Sequence, residues 1–149
     1  MVENLAKRFY GEYNHTVDAK GRLIFPAKYR DQLGEGCMVT KGIDSCLYVY
    51  DYEAWAEFEA KIDALPIDMA ETRQIQRFFL GSAMEGSFDS QGRILLSQPL
   101  RDYADLQKEI TLSGVGSRIE IWNRSAYKDE ELSNVSGITA KFRELGLSL

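Results

Sequence analysis

The segment Asp18-Ala19-Lys20-Gly21-Arg22-Leu23-Ile24-Phe25-Pro26-Ala27-Lys28-Tyr29-Arg30-Asp31 returns as Asp89-Ser90-Gln91-Gly92-Arg93-Ile94-Leu95-Leu96-Ser97-Gln98-Pro99-Leu100-Arg101-Asp102. Asp, Gly, Arg, Arg and Asp recur at a constant offset of 71, and the apolar pairs Leu23/Ile94, Ile24/Leu95 and Phe25/Leu96 keep the same frame. After one inserted residue, Leu47-Tyr48-Val49-Tyr50 matches Ile119-Glu120-Ile121-Trp122, and Trp55 then matches Tyr127. So many identities in one short frame exceed chance. The chain holds two copies of one unit, about 14–55 and 85–127.

Each copy has the same local grammar. Residues 14–17 read as a short strand, and Asp18-Ala19-Lys20-Gly21 supplies turn chemistry. Glycine reaches φ > 0 without a Cβ penalty, and an Asp side chain bonds the amides of its own turn. Residues 22–25 return as a strand, and Pro26 opens a short helix that ends before Gly34. Strands follow at 37–41 and 46–50, and the second copy repeats the order with Pro99 at its helix start and strands near 109–113 and 118–122. Between the copies, Tyr52, Trp55, Phe58, Ile62 and Leu65 fall on one helical face that Pro66 stops. Asp68-Met69-Ala70-Glu71 has the pattern of a capping box for a second helix, with Ile75, Phe78 and Phe79 apolar and Gly81 past its end. The tail, 125–145, reads as helix broken at Ser136-Gly137, with Ile138, Phe142 and Leu145 as a narrow stripe. The fold class is α+β, mainly β. The expected division is a first half over 1–66 (core about 9–50), a connecting helix over 67–83 and a second half over 84–149 (core about 84–122), with no Ser/Gly linker between them.

Composition narrows the function. The chain has 149 residues, 44% hydrophobic and 28% charged, which suits one compact soluble body. Apolar runs stop at about four residues against the roughly 20 a membrane helix needs, and Met1-Val2-Glu3-Asn4-Leu5 lacks a signal-peptide core. A cytoplasmic protein is expected, with Cys37 and Cys46 as reduced, buried thiols. His15 is the single histidine, so no metal site is expected, and nothing points to a cofactor or small-molecule substrate. Net charge is −5, so any polyanion must be met by a local basic patch.

The stretch from Gly11 through Val17 and Asp18 to Arg30, and the stretch Lys108 to Trp122, closely resemble the MraZ family, and the likeness runs from about Phe9 to the C-terminal helix. Met1 to Arg8, with Lys7 and Arg8, lie ahead of the family pattern. The resemblance implies two tandem AbrB-like swapped-hairpin units that interlock into one pseudo-twofold β-barrel with peripheral helices. It further implies a homo-oligomeric ring, associated with the nucleoid, that binds short direct repeats in double-stranded promoter DNA. In the family those repeats lie upstream of the division and cell-wall gene cluster, and binding regulates transcription.

Arg22 and Arg93 follow their turns, where a guanidinium can clamp phosphate or read guanine O6 and N7. The competing reading is a staple, Asp18 to Arg22 and Asp89 to Arg93, and both roles can coexist. The expected DNA contacts are Arg22, Arg93, Lys20 and Gln91, with Asp18, Gly21, Asp89 and Gly92 supporting the turns. Lys20 makes the first turn the more basic of the two, because Gln91 neutralises no phosphate. Lys28 and Arg30 are read as a solvated helix face, His15 as a strand-surface residue, and Trp55, Phe58, Phe78, Phe79 and Trp122 as packing.

Two other functions compete. A ring-forming scaffold or protein-interaction module is compatible with the net acidity. An aspartic-type hydrolase would use the duplicated Asp, but such enzymes need Asp followed by Thr or Ser and then Gly, and Asp18-Ala19-Lys20 and Asp89-Ser90-Gln91 lack this. The neighbouring arginines would also hold both carboxylates ionised, which defeats proton sharing. No catalytic residue is assigned.

Overall fold

A computed structural model describes residues 8–131 and 135–148. The first repeat runs β1 (Phe9–Thr16), β2 (Arg22–Ile24), α1 (Ala27–Leu33), β3 (Gly36–Lys41) and β4 (Leu47–Tyr50). The second runs β5 (Met84–Ser87), β6 (Arg93–Leu95), α4 (Gln98–Tyr103), β7 (Glu109–Gly116) and β8 (Ile119–Asn123). The order strand, strand, short helix, strand, strand is present twice. Between the repeats lie α2 (Tyr52–Asp63) and α3 (Ala70–Ile75), which continues as a π-helical turn over Gln76–Leu80; α5 (Arg124–Glu130) and α6 (Val135–Glu144) follow the second repeat.

The repeats trade partners. β1 pairs antiparallel with β7, from Phe9 opposite Gly116 to Thr16 opposite Glu109. β5 pairs with β3, the matching strand of the first repeat. β4 and β8 join the two hairpins, giving a six-stranded sheet of order β1-β7-β8-β4-β3-β5. Each repeat's second strand pairs with its counterpart, Leu23 opposite Ile94, in a separate two-stranded ribbon.

The closed barrel expected from the family resemblance is not what forms. β1 and β5 are the two free edges of the six-stranded sheet. β2 and β6, three residues each, use their ladder groups on one another, and among the described residues a single isolated bridge, Val17 to Leu23, ties the ribbon to the β1 side. The ribbon still covers the core. Leu23, Phe25, Ile94 and Leu96 are fully buried beside Val39, Val49, Ile110, Leu112 and Ile121, so one core takes residues from both repeats. Such mixing follows from size, since a four-strand piece alone buries too little apolar surface.

Local details depart from the sequence reading at several helix ends. The N-cap of α3 is Met69, with no side-chain capping bond, and Asp68 caps nothing. α2 ends at Asp63, short of Pro66, and leaves Leu65 exposed. Ser136 and Gly137 lie inside α6 rather than at a break, and the interruption between α5 and α6 precedes them. α2 and α5 start alike, as the repeat demands: Asp51 accepts from the Ala54 amide at 2.7 Å, and Asn123 from that of Ala126 at 3.2 Å. Gly81 closes the π-helical turn, where a Cβ would approach the Arg77 carbonyl oxygen to 2.6 Å. Trp55, Trp122, Tyr48 and Tyr50 form a second apolar cluster, against which Phe58 and Phe79 pack, while Phe78 lies edge-on to Phe79.

Candidate nucleic-acid interface

The two turns are built alike, atom for atom. In the first, Asp18 Oδ1 accepts from the backbone amides of Lys20 and Arg22, both at 2.9 Å. Its Oδ2 accepts from Arg22 Nε at 2.7 Å. The Gly21 amide donates to the Asp18 carbonyl at 3.0 Å, with Gly21 at φ +89°. In the second, Asp89 accepts from the Gln91 and Arg93 amides at 2.9 Å and from Arg93 Nε at 2.8 Å, with Gly92 at φ +75°. A residue with a Cβ rarely holds that φ, so both turns require their glycine.

These bonds fix the electrostatics. The Arg22 backbone amide above all, joined by the Arg22 side chain and the Lys20 amide, holds the Asp18 carboxyl below the usual carboxylate range against the opposing effect of desolvation. Arg93 and Gln91 do the same for Asp89. Each carboxylate therefore stays charged and orients its arginine through Nε alone. The terminal nitrogens of Arg22 and Arg93 have no hydrogen-bond partner among the described residues. A fork held by Nε with both Nη groups open can donate to phosphate or to a guanine edge.

The ribbon brings both arginines to one face. Arg22 stands opposite Leu95, and Ile24 opposite Arg93. Side chains alternate on a strand, so Arg22, Ile24, Arg93 and Leu95 share the outer face while Leu23 and Ile94 point to the core. A diagonal pair of this kind is separated by roughly 7–8 Å. Ile24 and Leu95, which repeat in sequence as an apolar pair, are 46% and 58% exposed between the arginines. Lys20 and Gln91 sit exposed near the turn tips.

A family model described as "MraZ protein" matches the chain twice, over residues 8–78 and 79–144, one match for each repeat. The chain belongs to the MraZ family. It is 45% identical over 142 residues to a protein of Acetivibrio thermocellus named transcriptional regulator MraZ, covering 93% of this chain and 99% of that one. Proteins of the same name from Moorella thermoacetica (50% over 121 residues, 81% and 85% covered) and Caldicellulosiruptor saccharolyticus (47% over 141 residues, 92% and 98% covered) are similarly close.

The MraZ turns carry more cations than the sequence reading assigned. Arg30 is not simply solvated. Its Nε donates to the Phe25 carbonyl at 3.2 Å, and Arg101 repeats this with the Leu96 carbonyl at 3.1 Å. The signal was present, since both recur at the offset of 71, but the turns they lie against, at Gly92 and Gly21, belong to the other repeat. Lys28 is exposed, as expected of a solvated face. Beside the first turn a shallow pocket of about 410 Å³ is lined by Asp18, Ala19, Arg101, Leu106, Gln107 and Lys108, among others.

His15 lies half-buried on β1, and its pKa is lowered by burial and by Arg124. Cys37 and Cys46 are free and buried, with burial pushing both thiols up to about 12. Among the described residues no cluster of His, Cys, Asp or Glu could hold a metal ion, and no helix is long and apolar enough to cross a membrane.

Proposed function

We propose that this protein is a DNA-binding transcriptional regulator, in which a homo-oligomeric ring presents D-x-x-x-R turns to short direct repeats upstream of the division and cell-wall gene cluster. The observation that carries the reading is the pair of open arginine forks on one exposed ribbon face, each held by an aspartate through Nε only. The names of the close relatives support regulation of transcription. The swapped-hairpin relation to AbrB-type units is supported by the exchange of first strands between repeats. A nucleoid-associated, cytoplasmic location goes with the same reading.

A single turn presents few cations on a chain of net charge −5, so one subunit should hold DNA weakly. A ring would turn several such contacts into avidity where their spacing matches the repeats. Fluorescence anisotropy with one, two and four DNA repeats, at two salt concentrations and against scrambled DNA, tests this. Affinity should rise steeply with repeat number and fall steeply with salt. Equal affinity for single, tandem and scrambled DNA sinks the reading.

The scaffold reading keeps one specific support. Val135, Leu145 and Leu147 on and after α6 are exposed, an apolar surface that protein rather than DNA would cover. Salt-insensitive capture of a protein partner, together with indifference to DNA, would favour it.

A further inference from the structure

The two turns differ from an efficient phosphate site in one respect: their own charges nearly cancel. Asp89 offsets Arg93, and Ser90 and Gln91 add nothing, so the second turn is neutral by itself. The first turn gains one positive charge from Lys20. A neutral loop releases no counterions on meeting DNA, and counterion release supplies much of the affinity of such contacts.

The missing charge comes from across the molecule. Phe25 holds two things at once. Its carbonyl accepts from Arg30 Nε, and its amide donates to the Gly92 carbonyl at 3.2 Å. The guanidinium of Arg30 therefore lies against the turn of the second repeat, so close that a Cβ on Gly92 would stand 2.7 Å from Arg30 Cζ. The first turn mirrors this. The Leu96 carbonyl accepts from Arg101 Nε, the Leu96 amide donates to the Gly21 carbonyl at 2.9 Å, and a Cβ on Gly21 would stand 2.6 Å from Arg101 Cζ. Neither Arg30 nor Arg101 has a carboxylate partner among the described residues, and their terminal nitrogens are unbonded there. Each half-buried arginine is thus a full, uncompensated charge fixed beside a turn that belongs to the other repeat.

We propose that each DNA-reading edge is composite and crossed between repeats: Arg30 completes the phosphate contact of the Asp89–Arg93 turn, and Arg101 that of the Asp18–Arg22 turn. This rests on the DNA reading above. It also gives Gly21 and Gly92 a second task, since their bare Cα lets a guanidinium lie flat on the turn. With the crossed arginines the second edge carries one net positive charge and the first carries two.

The test is the slope of log affinity against log salt for the full-length protein on tandem operator-like repeats. Removing the cation from one phosphate should flatten that slope by about 0.9 for every edge engaged on the DNA. Arg30→Gln and Arg101→Gln should each flatten it and weaken binding, while Arg30→Lys should keep the slope and lose part of the affinity, because lysine cannot reproduce the Nε bond to Phe25. In the unmutated protein, bound DNA should protect Arg30 and Arg101 from phenylglyoxal together with Arg22 and Arg93. That measurement stands even where a substitution impairs folding. Unchanged slope in folded Arg30→Gln and Arg101→Gln, or unprotected Arg30 and Arg101 beside protected Arg22 and Arg93, overturns the crossed contact alone. Unmutated protein that ignores DNA at every salt concentration overturns the DNA reading itself.

Discussion

Arg22 spends one nitrogen on Asp18 and keeps two open, and that division separates its roles. Arg22→Ala removes the open fork, worth roughly 1–3 kcal/mol per base-reading contact, and multivalent binding repeats the loss at each engaged subunit. Operator affinity should collapse while melting temperature and oligomer mass stay near those of the unmutated protein, since a solvent-exposed ion pair contributes little to folding. Arg22→Lys should rescue phosphate binding in part but not a bidentate base contact. The same preparations, measured for all three properties, check this; a broken assembly with retained affinity would make Arg22 a staple only. His15 gives a second expectation. Its folded pKa lies below the ordinary 6.5, so its stabilising contribution is full above that value and is lost as pH falls through the lowered one. Melting temperature should therefore decline as pH drops from about 7 toward 5, and His15→Gln should flatten that decline. Asp18 and Asp89 are also depressed, so their contribution disappears only below about pH 4 and cannot mimic the histidine.

The start of α3 lacks a side-chain cap. Met69 sits there with extended backbone and no capping side chain, whereas Asp51, Ser97 and Asn123 all cap their helices. Met69→Ser should stabilise by about 1 kcal/mol, a rise of about 2–4 °C in melting temperature. No rise would mean that the exposed Met69 thioether already makes an equivalent contact. The sequence suggested Asp68 as the cap because its spacing to Glu71 fits the box, but the chain turns helical one residue later. Patterns of this kind fix that a helix starts, and the exact residue is settled by neighbours. The D-x-x-x-R turns were legible for the opposite reason. The bonds from Asp18 to Lys20 and Arg22 run between residues two to four apart, so the chemistry is written locally.

At the scale of the whole chain, locality fails. Sequence alignment of the repeats supplied the element order but carried no register, so nothing in it fixed that β1 would pair with β7 or that the sheet would stay open. The same gap hid Arg30 and Arg101, whose turn partners lie about sixty residues or more away in sequence. Strand exchange makes the repeats interdependent. Residues 1–66 alone would leave β1 without β7, β2 without β6 and β3 without β5. That fragment should be unfolded or self-associated in analytical ultracentrifugation, and the intact chain should melt in one calorimetric transition. A monomeric fragment with cooperative melting contradicts the shared core.

The pairing of β1 with β7 also sets a clock. The first strand to leave the ribosome waits for a partner encoded about a hundred residues later, which at ordinary synthesis rates takes roughly 5–20 s. Through that interval Phe9 and the edges of the first hairpin stand open beside those of the next chain on the same message. The nearest substitute for the missing second repeat is then the first repeat of a neighbour, so translation speed across residues 67–108 governs whether a chain closes on itself or on its sibling.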